Sequence, residues 1–458
     1  MTIPFLDRED ERRRLRRFLG GGGGGLAVVY GRRRCGKSRL IQEVAGANDV
    51  YFLADQRDPA LQVHALAEEI GRAVQGFASA QYGSWISLLD SLHARVDRRL
   101  NVLLDEFPYL AGASPELPSL IQRQLDMPGR KGINLLLCGS SQRMMHGLVL
   151  DRTAPLYGRA QEILRIVPLR PGWIMPALGL SGEAAVQSYA VWGGVPRYWE
   201  LARSCGSLGN AIRELVLDRR GVLHEEPARL LLDEMRTAGL SYSLLSLIGA
   251  GCRRLSEIAG RLGRPAGSLT RPLSNLIDLG YVRKEVPFGE DARSSKHTFY
   301  RIDDPFLSFF FRLVPPNQSL LELGAVDAVE AGMREVLRSH VAQVWEDLAR
   351  MSVPFLKPGR VQWGPAGRWW GAGEDGKPLE FDVVAESLDR RAVLIGEAKW
   401  SDSAAKLAAT AQELRARVVK APFVKGRRVI CCVWVKRSVK AASDAAVITP
   451  GDVLDALK

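Results

Sequence analysis

Residues 31–38 read Gly-Arg-Arg-Arg-Cys-Gly-Lys-Ser, directly after the apolar run 26–30 and directly before a stretch with helical spacing. Strand, Gly-x-x-x-x-Gly-Lys-Ser and helix in that order constrain the chain more than any other feature. They specify a phosphate-cradling loop between a strand and a helix. Gly31 and Gly36 let backbone N–H groups approach phosphate oxygens, and the helix N-terminus adds partial positive charge. Lys37 is expected to reach the β- and γ-phosphates of ATP, and Ser38 to hold Mg²⁺. The six glycines at 20–25 read as a flexible connector ahead of the strand.

Further short apolar runs at 50–53, 100–104 and 134–138 alternate with helical patterns, which argues for a parallel sheet covered on both faces. Such a loop needs an acid at the C-terminal end of a neighbouring strand. Asn101-Val-Leu-Leu-Asp105-Glu106 supplies it. Asp105 is expected to hold Mg²⁺ through water, and Glu106 to polarise the attacking water. The run 135–139 ends in Ser140-Ser141-Gln142, where a small polar side chain, Ser141, is placed to sense the γ-phosphate. Serine after a strand is also ordinary turn chemistry.

A chain of 458 residues is too long for one ordinary core. Its 46% hydrophobic and 25% charged residues exclude a mostly disordered protein. The formal charge of +12 makes a polyanionic partner, nucleic acid above all, the first expectation, although an Arg-rich proteome gives the same balance. The charged start lacks the apolar stretch of a secretory signal, and no apolar run approaches the roughly 20 residues that cross a bilayer. The six cysteines are scattered without a Cys-x-x-Cys pair, so neither a zinc site nor a disulfide framework is indicated. A cytoplasmic chain with no membrane partner is expected.

Residues 254–263 suggest a short helix and turn, and 268–280 a second helix with apolar residues at 269, 273, 276 and 279. Residues 281–284 and 296–301 then form a hairpin about Gly289. Two helices and a hairpin make a winged helix-turn-helix pattern, which presents Ser268, Thr270, Arg271 and Asn275 to a DNA groove. Residues 251–301 hold 10 Lys/Arg against 5 Asp/Glu, a net +5, the sign that phosphate binding requires. The other use of such a module is packing or protein contact.

Near the C-terminus, Leu379-Glu-Phe-Asp382-Val-Val and Val393-Leu-Ile-Gly-Glu397-Ala-Lys399 read as consecutive strands joined by a turn at 387–391. Residues two apart share a strand face, so Glu397 and Lys399 project together. In an antiparallel pair Asp382 lies opposite them. Two carboxylates and an ammonium then converge, a set suited to Mg²⁺-assisted phosphodiester cleavage.

The two nucleotide motifs, together with Phe5-Leu-Asp7-Arg8-Glu9, Pro155-Leu-Tyr-Gly-Arg159 and Gly193-Gly194-Val-Pro196, make the chain resemble a family of archaeal and bacterial ATPases. These are AAA+-type, related to signal-transducing (STAND) ATPases, and carry a C-terminal restriction-endonuclease-like domain. The resemblance spans nearly the whole chain and makes Arg159 a candidate for contact with the γ-phosphate, in cis or across a subunit boundary of a homo-oligomer, the other reading being a surface arginine before a strand. The Asp382…Glu397-x-Lys399 pattern resembles the PD-(D/E)XK nuclease superfamily, whose extra helical acid matches Glu346. Glu380 stands where that superfamily often has proline.

The expected fold class is therefore α/β: a P-loop NTPase parallel sheet (1–165) with a helical lid (166–235), a winged helix-turn-helix (236–315) and a C-terminal α/β restriction-endonuclease-like domain (320–458). The function expected is ATP hydrolysis coupled to Mg²⁺-dependent processing of nucleic acid, DNA in particular. The alternatives are an ATP-switched DNA-binding regulator and an oligomerising signalling ATPase, in which the terminal fold only binds.

Overall fold

The computed structural model describes residues 3–96, 98–127, 132–235, 238–293, 295, 297–437 and 445–458, and leaves out the side chains of 404–408. Two compact units divide it. The first comprises Asp7–Pro168 with Asp233–Met235, and the second holds the other described residues.

The first unit is built on β1 (Gly25–Tyr30), β2 (Val50–Leu53), β3 (Leu100–Asp105), β4 (Ile133–Gly139) and β5 (Ala160–Arg165). They are all parallel, in the order β2-β3-β4-β1-β5. All of β3 and five of the six residues of β1 are buried. Unbroken apolar runs, rather than alternation, are what a parallel sheet covered on both faces demands. Leu66, Ile70, Leu88, Leu92 and Ile121 from the flanking helices close the core over Val102 and Leu104. The Arg-rich helix Glu9–Gly20 is anchored through Arg14 and Arg17, both paired with Glu162 of β5. The sequence places the acid strand β3 beside β1; in the fold β4 lies between them.

The second unit is helical through residue 278 and then forms the antiparallel hairpin β6 (Val282–Glu285) and β7 (Phe299–Ile302). The 27-residue helix Val326–Ser352 precedes a five-stranded sheet. Its strands are β8 (Gly367–Ala372), β9 (Pro378–Glu386), β10 (Ala392–Lys399), β11 (Arg428–Val435) and β12 (Ala446–Ile448). The order is β12-β11-β10-β9-β8, with β8, β9 and β10 antiparallel and β10, β11 and β12 parallel. Strand β12 and the helix Pro450–Ala456 follow β11. Gly396 of β10 is required by a close approach: a Cβ there would stand 2.4 Å from the Trp434 ring.

The hairpin departs from the free wing read from the sequence. Its connecting loop donates from Phe288 N–H to Arg368 O at 2.8 Å, and Phe299 stacks on Trp370 with centroids 5.2 Å apart. Arg283 bridges Asp303 at 2.8 Å and Asp347 of the long helix at 2.6 Å. Strand β8 is the edge of its sheet, and an uncovered edge invites unwanted pairing. The aromatic and charged groups of the hairpin cover it. Lys296 lies outside the described residues.

Candidate functional site

Gly31 ends β1 with φ 148°, where a Cβ would meet Ile166 O at 2.1 Å, so only glycine fits the start of the loop. Gly36, at φ 87°, turns the chain into the helix Lys37–Val44. Lys37 is buried and donates from Nζ to Arg32 O at 3.0 Å, closing the loop on itself. Ser38 stands in the first turn of that helix.

Asp105 is fully buried at the end of β3, accepting from Tyr51 O–H at 2.9 Å and from Glu106 N–H at 3.0 Å. Burial and the Asp105 charge hold the Tyr51 phenol well above its usual range. On β4 between the two motifs, buried Cys138 lies within electrostatic reach of both Asp105 and Lys37. Hard oxygen donors at Ser38 and Asp105, around one loop, fit a nucleotide-bound Mg²⁺. Glu106 sits in the left-handed region at φ 53°, and its carboxylate is held by Ser140. Ser141, the side chain singled out as γ-phosphate sensor, instead caps the helix Gln142–Met145, accepting from Met144 N–H at 3.3 Å. Ser140 therefore holds the position beside Glu106. Residue spacing alone cannot separate two adjacent serines.

Sequence reasoning missed Asp233 and Glu234 altogether. Asp233 accepts from Arg33 of the phosphate loop at 2.6 Å, while Arg33 also donates to Tyr109 O–H at 2.9 Å. Arg33 is thus tied within the unit. Glu234 accepts from Gln142 N–H at 3.1 Å and Arg143 N–H at 3.3 Å, and its Oε2 lies 3.5 Å from Ser141 Oγ. No local motif marks an acid more than 90 residues from its partners. Cys35 of the loop is 1% exposed, so its thiol is shielded in the folded protein.

Arg159 is placed far from its own phosphate loop. It precedes β5, whose residue 160 pairs with Leu26 at the start of β1, whereas Arg165 pairs with Tyr30 next to the loop. A six-residue strand spans roughly 20 Å, so Arg159 lies at the opposite edge of the sheet. There it clasps Asp126 at 2.8 Å and donates to Pro155 O at 3.0 Å. As placed, Arg159 makes no contact with its own phosphate loop, and its partners are those of a surface arginine ahead of a strand.

In the second unit, β9 and β10 pair through Gly396↔Val383, and continuing that register sets Asp382 opposite Glu397. Lys399 Nζ donates to Glu397 Oε2 at 2.7 Å and Asp382 Oδ2 at 3.1 Å, and Arg417 donates to Glu397 Oε1 at 3.0 Å. Ala398 N–H also donates to Asp382, at 3.1 Å. Burial, and then the charge of Asp382, push the Glu397 carboxyl upward. Burial opposes the Lys399 charge, but Asp382 and Glu397 outweigh it and raise that group. Glu346, on the long helix, is raised by burial and then by Asp382, which brings it into electrostatic range of the pair.

The three predicted residues of the strand pair thus converge. As placed, however, both Glu397 oxygens are taken by cations, and among the described residues no three His, Cys, Asp or Glu side chains form a metal-ligating group. The arrangement, as placed, is a salt-bridge cluster. Arg350 joins it to the hairpin, donating to Asp382 O at 2.6 Å and pairing with Asp347, which Arg283 holds from the other side.

The helix Ala266–Asp278 buries Leu269, Leu273 and Leu276, while Ser268, Thr270, Arg271 and Asn275 are exposed. Arg261 and Arg264 are exposed just before it. Part of the local +5 is spent elsewhere, since Arg283 and Arg301 pair with acids inside the unit.

Residues 5–200 match the family model described as an ATPase domain predominantly from Archaea. Residues 310–411 match one described as archaeal and bacterial proteins of unknown function. The first unit has the fold of an archaeal-type P-loop ATPase. The chain is similar to an uncharacterized protein of Methanocaldococcus jannaschii, 28% identical over 405 residues, covering 87% of this chain and 88% of that protein. It is similar to the solved Walker-type ATPase of Pyrococcus abyssi, with 20% identity and a TM-score of 0.50 over 67% of this chain and 96% of that one. It also resembles the ORC2 protein of Aeropyrum pernix, at 17% identity and a TM-score of 0.48, covering 73% of this chain and 97% of that one. Among the described residues, no helix is long and apolar enough to cross a membrane.

Proposed function

We propose that this protein is a nucleotide-switched ATPase whose second unit binds nucleic acid. The observation that carries the reading is the helix Ala266–Asp278, which buries its leucines and leaves Ser268, Thr270, Arg271 and Asn275 free of the core beside exposed Arg261 and Arg264. A polar and basic face of this kind suits phosphate and base contacts. Residues 236–315 then act as a winged helix, with the hairpin serving as a brace, and 166–235 as a lid.

In the first unit, Lys37 binds the β- and γ-phosphates, and Ser38 and Asp105 hold Mg²⁺, which neutralises phosphate charge. Glu106 orients the attacking water for in-line displacement, with Ser140 beside it. Arg159 serves a neighbouring copy in a homo-oligomer. The terminal sheet is of restriction-endonuclease-like type and contributes binding. The test is titration of labelled duplex and single-stranded DNA at several salt concentrations, with wild type and Arg271→Glu. The reading requires salt-dependent binding weakened by the substitution, and equal affinities for the two proteins would refute it.

One observation favours a second reading, Mg²⁺-dependent cleavage: Asp382, Glu397 and Lys399 meet at adjoining strand positions. Cleavage would require Lys399 and Arg417 to yield Glu397 to a metal. Wild-type cutting of DNA or RNA with Mg²⁺ or Mn²⁺, abolished in Asp382→Ala, would establish it.

A further inference from the structure

Glu234 is a buried carboxylate, 3% exposed, and among the described residues no cation lies within ion-pair distance of it. Its partners are the N–H groups of Gln142 and Arg143, with the Ser141 hydroxyl at 3.5 Å. These groups follow β4 at the sheet edge where the phosphate loop lies, and the Lys37 charge reaches Glu234. The Glu234 carboxyl, which burial pushes upward while the Gln142 and Arg143 N–H groups and the Lys37 charge favour its ionised form, thus sits on the donors that the end of β4 offers to a terminal phosphate. The preceding residue, Asp233, holds Arg33 of the phosphate loop at 2.6 Å. Two adjacent acids therefore engage both halves of the nucleotide site, the loop and the segment after β4.

We propose that Glu234 is a positioning residue of the nucleotide site, a resident anion that competes with the terminal phosphate of ATP for the donors at 141–143 and for the field of Lys37. A nucleotide carrying a γ-phosphate brings negative charge beside a buried carboxylate, and like charges in a low-dielectric site repel strongly. Binding ATP displaces the carboxylate from the segment after β4. Binding a nucleotide without the γ-phosphate leaves it in place. Residues 233–235 continue in sequence into the second unit, so this displacement is the first step by which nucleotide state leaves the ATP site.

The inference rests on the phosphate loop being an ATP site, and the experiment separates the two. Dissociation constants for a non-hydrolysable ATP analogue, ADP and AMP are measured by calorimetry for wild type, Glu234→Gln and Glu234→Asp, together with melting temperatures of the nucleotide-free proteins. Glutamine removes the charge and keeps an acceptor for one of the two N–H groups, whereas aspartate keeps both acceptor oxygens. The expected result is roughly tenfold tighter binding of the ATP analogue by Glu234→Gln, a smaller gain for ADP and no change for AMP. Glu234→Asp, which keeps the charge, is expected to retain the wild-type ratio of ATP analogue to AMP. Wild type that fails to bind ATP would remove the nucleotide site itself. Wild type that binds ATP, with a Glu234→Gln ratio that is unchanged or shifted toward AMP, overturns the role of Glu234 alone. If Glu234→Gln melts early and binds nothing, Glu234→Asp decides: a ratio raised above wild type overturns the proposal, and a preserved ratio supports it.

Discussion

Ser140 donates its hydroxyl to Glu106 Oε1 at 2.6 Å and its backbone N–H to Oε2 at 3.3 Å. Both carboxylate oxygens of the acid assigned to water activation are thereby engaged by the strand next to it. An acid held in this way is less available to an attacking water. Glu106→Gln is predicted to bind ATP normally and to lose about 10²–10⁴-fold in turnover. Ser140→Ala frees one oxygen and is predicted to raise basal kcat severalfold with unchanged ATP affinity. Steady-state hydrolysis and equilibrium binding on the two variants check both, and a fall in kcat for Ser140→Ala would contradict the restraining role.

Arg159 sits at the sheet edge opposite the phosphate loop, clasped to Asp126. Arg159→Ala is therefore predicted to leave hydrolysis unchanged in dilute, monomeric protein and to lower it only where copies associate. Specific activity measured across protein concentration decides this. A loss already complete in the monomer would contradict a role across a subunit boundary.

Burial, and then the neighbouring Asp382, push Glu346 up to about 7. A carboxyl raised above its unfolded value near 4.3 binds more protons in the folded state over that interval. Its contribution is fully present at pH below about 4 and falls as pH climbs toward 7. Glu346→Gln is predicted to flatten that loss, which is on the order of 2 kcal/mol between pH 5 and 7.5. Thermal melts of wild type and variant at both pH values provide the test, and parallel pH slopes would show that Glu346 is not the group responsible.

Phe288 fixes the hairpin to β8 through its N–H bond to Arg368 and by packing against the core of the terminal sheet. Phe288→Ala is predicted to destabilise the second unit by about 1–3 kcal/mol while leaving nucleic-acid affinity nearly intact. Arg271→Ala should do the reverse, lowering the salt slope of binding by about 1 with little change in melting temperature. A binding loss in Phe288→Ala as large as that of Arg271→Ala would return the hairpin to a direct wing role.

Much of this was legible in the residues, because each legible part is local. Gly31 to Ser38 and Asp105-Glu106 are contiguous, and the strand that bears each is an unbroken apolar run. The facing of Asp382 and Glu397 followed from strand alternation once an antiparallel pair was assumed. What escaped depends on contacts distant in sequence. The order of β1, β4 and β3 is a crossover choice that no single strand records. Glu234 meets its partners from more than 90 residues away. The docking of the hairpin rests on Phe288, Phe299 and Trp370, which read as ordinary aromatic residues until the sheet edge brings them together.

Control of nucleic-acid binding by nucleotide state is measured directly as the affinity of full-length protein for labelled DNA with a non-hydrolysable ATP analogue, with ADP and without nucleotide. Lys37→Ala serves as the control, since it removes the ammonium on which the phosphates settle. The account predicts that the ATP analogue and ADP give affinities differing by tenfold or so in wild type, and that Lys37→Ala shows one affinity under all three conditions. Equal wild-type affinities under all three conditions, with the analogue shown to be bound, would contradict it.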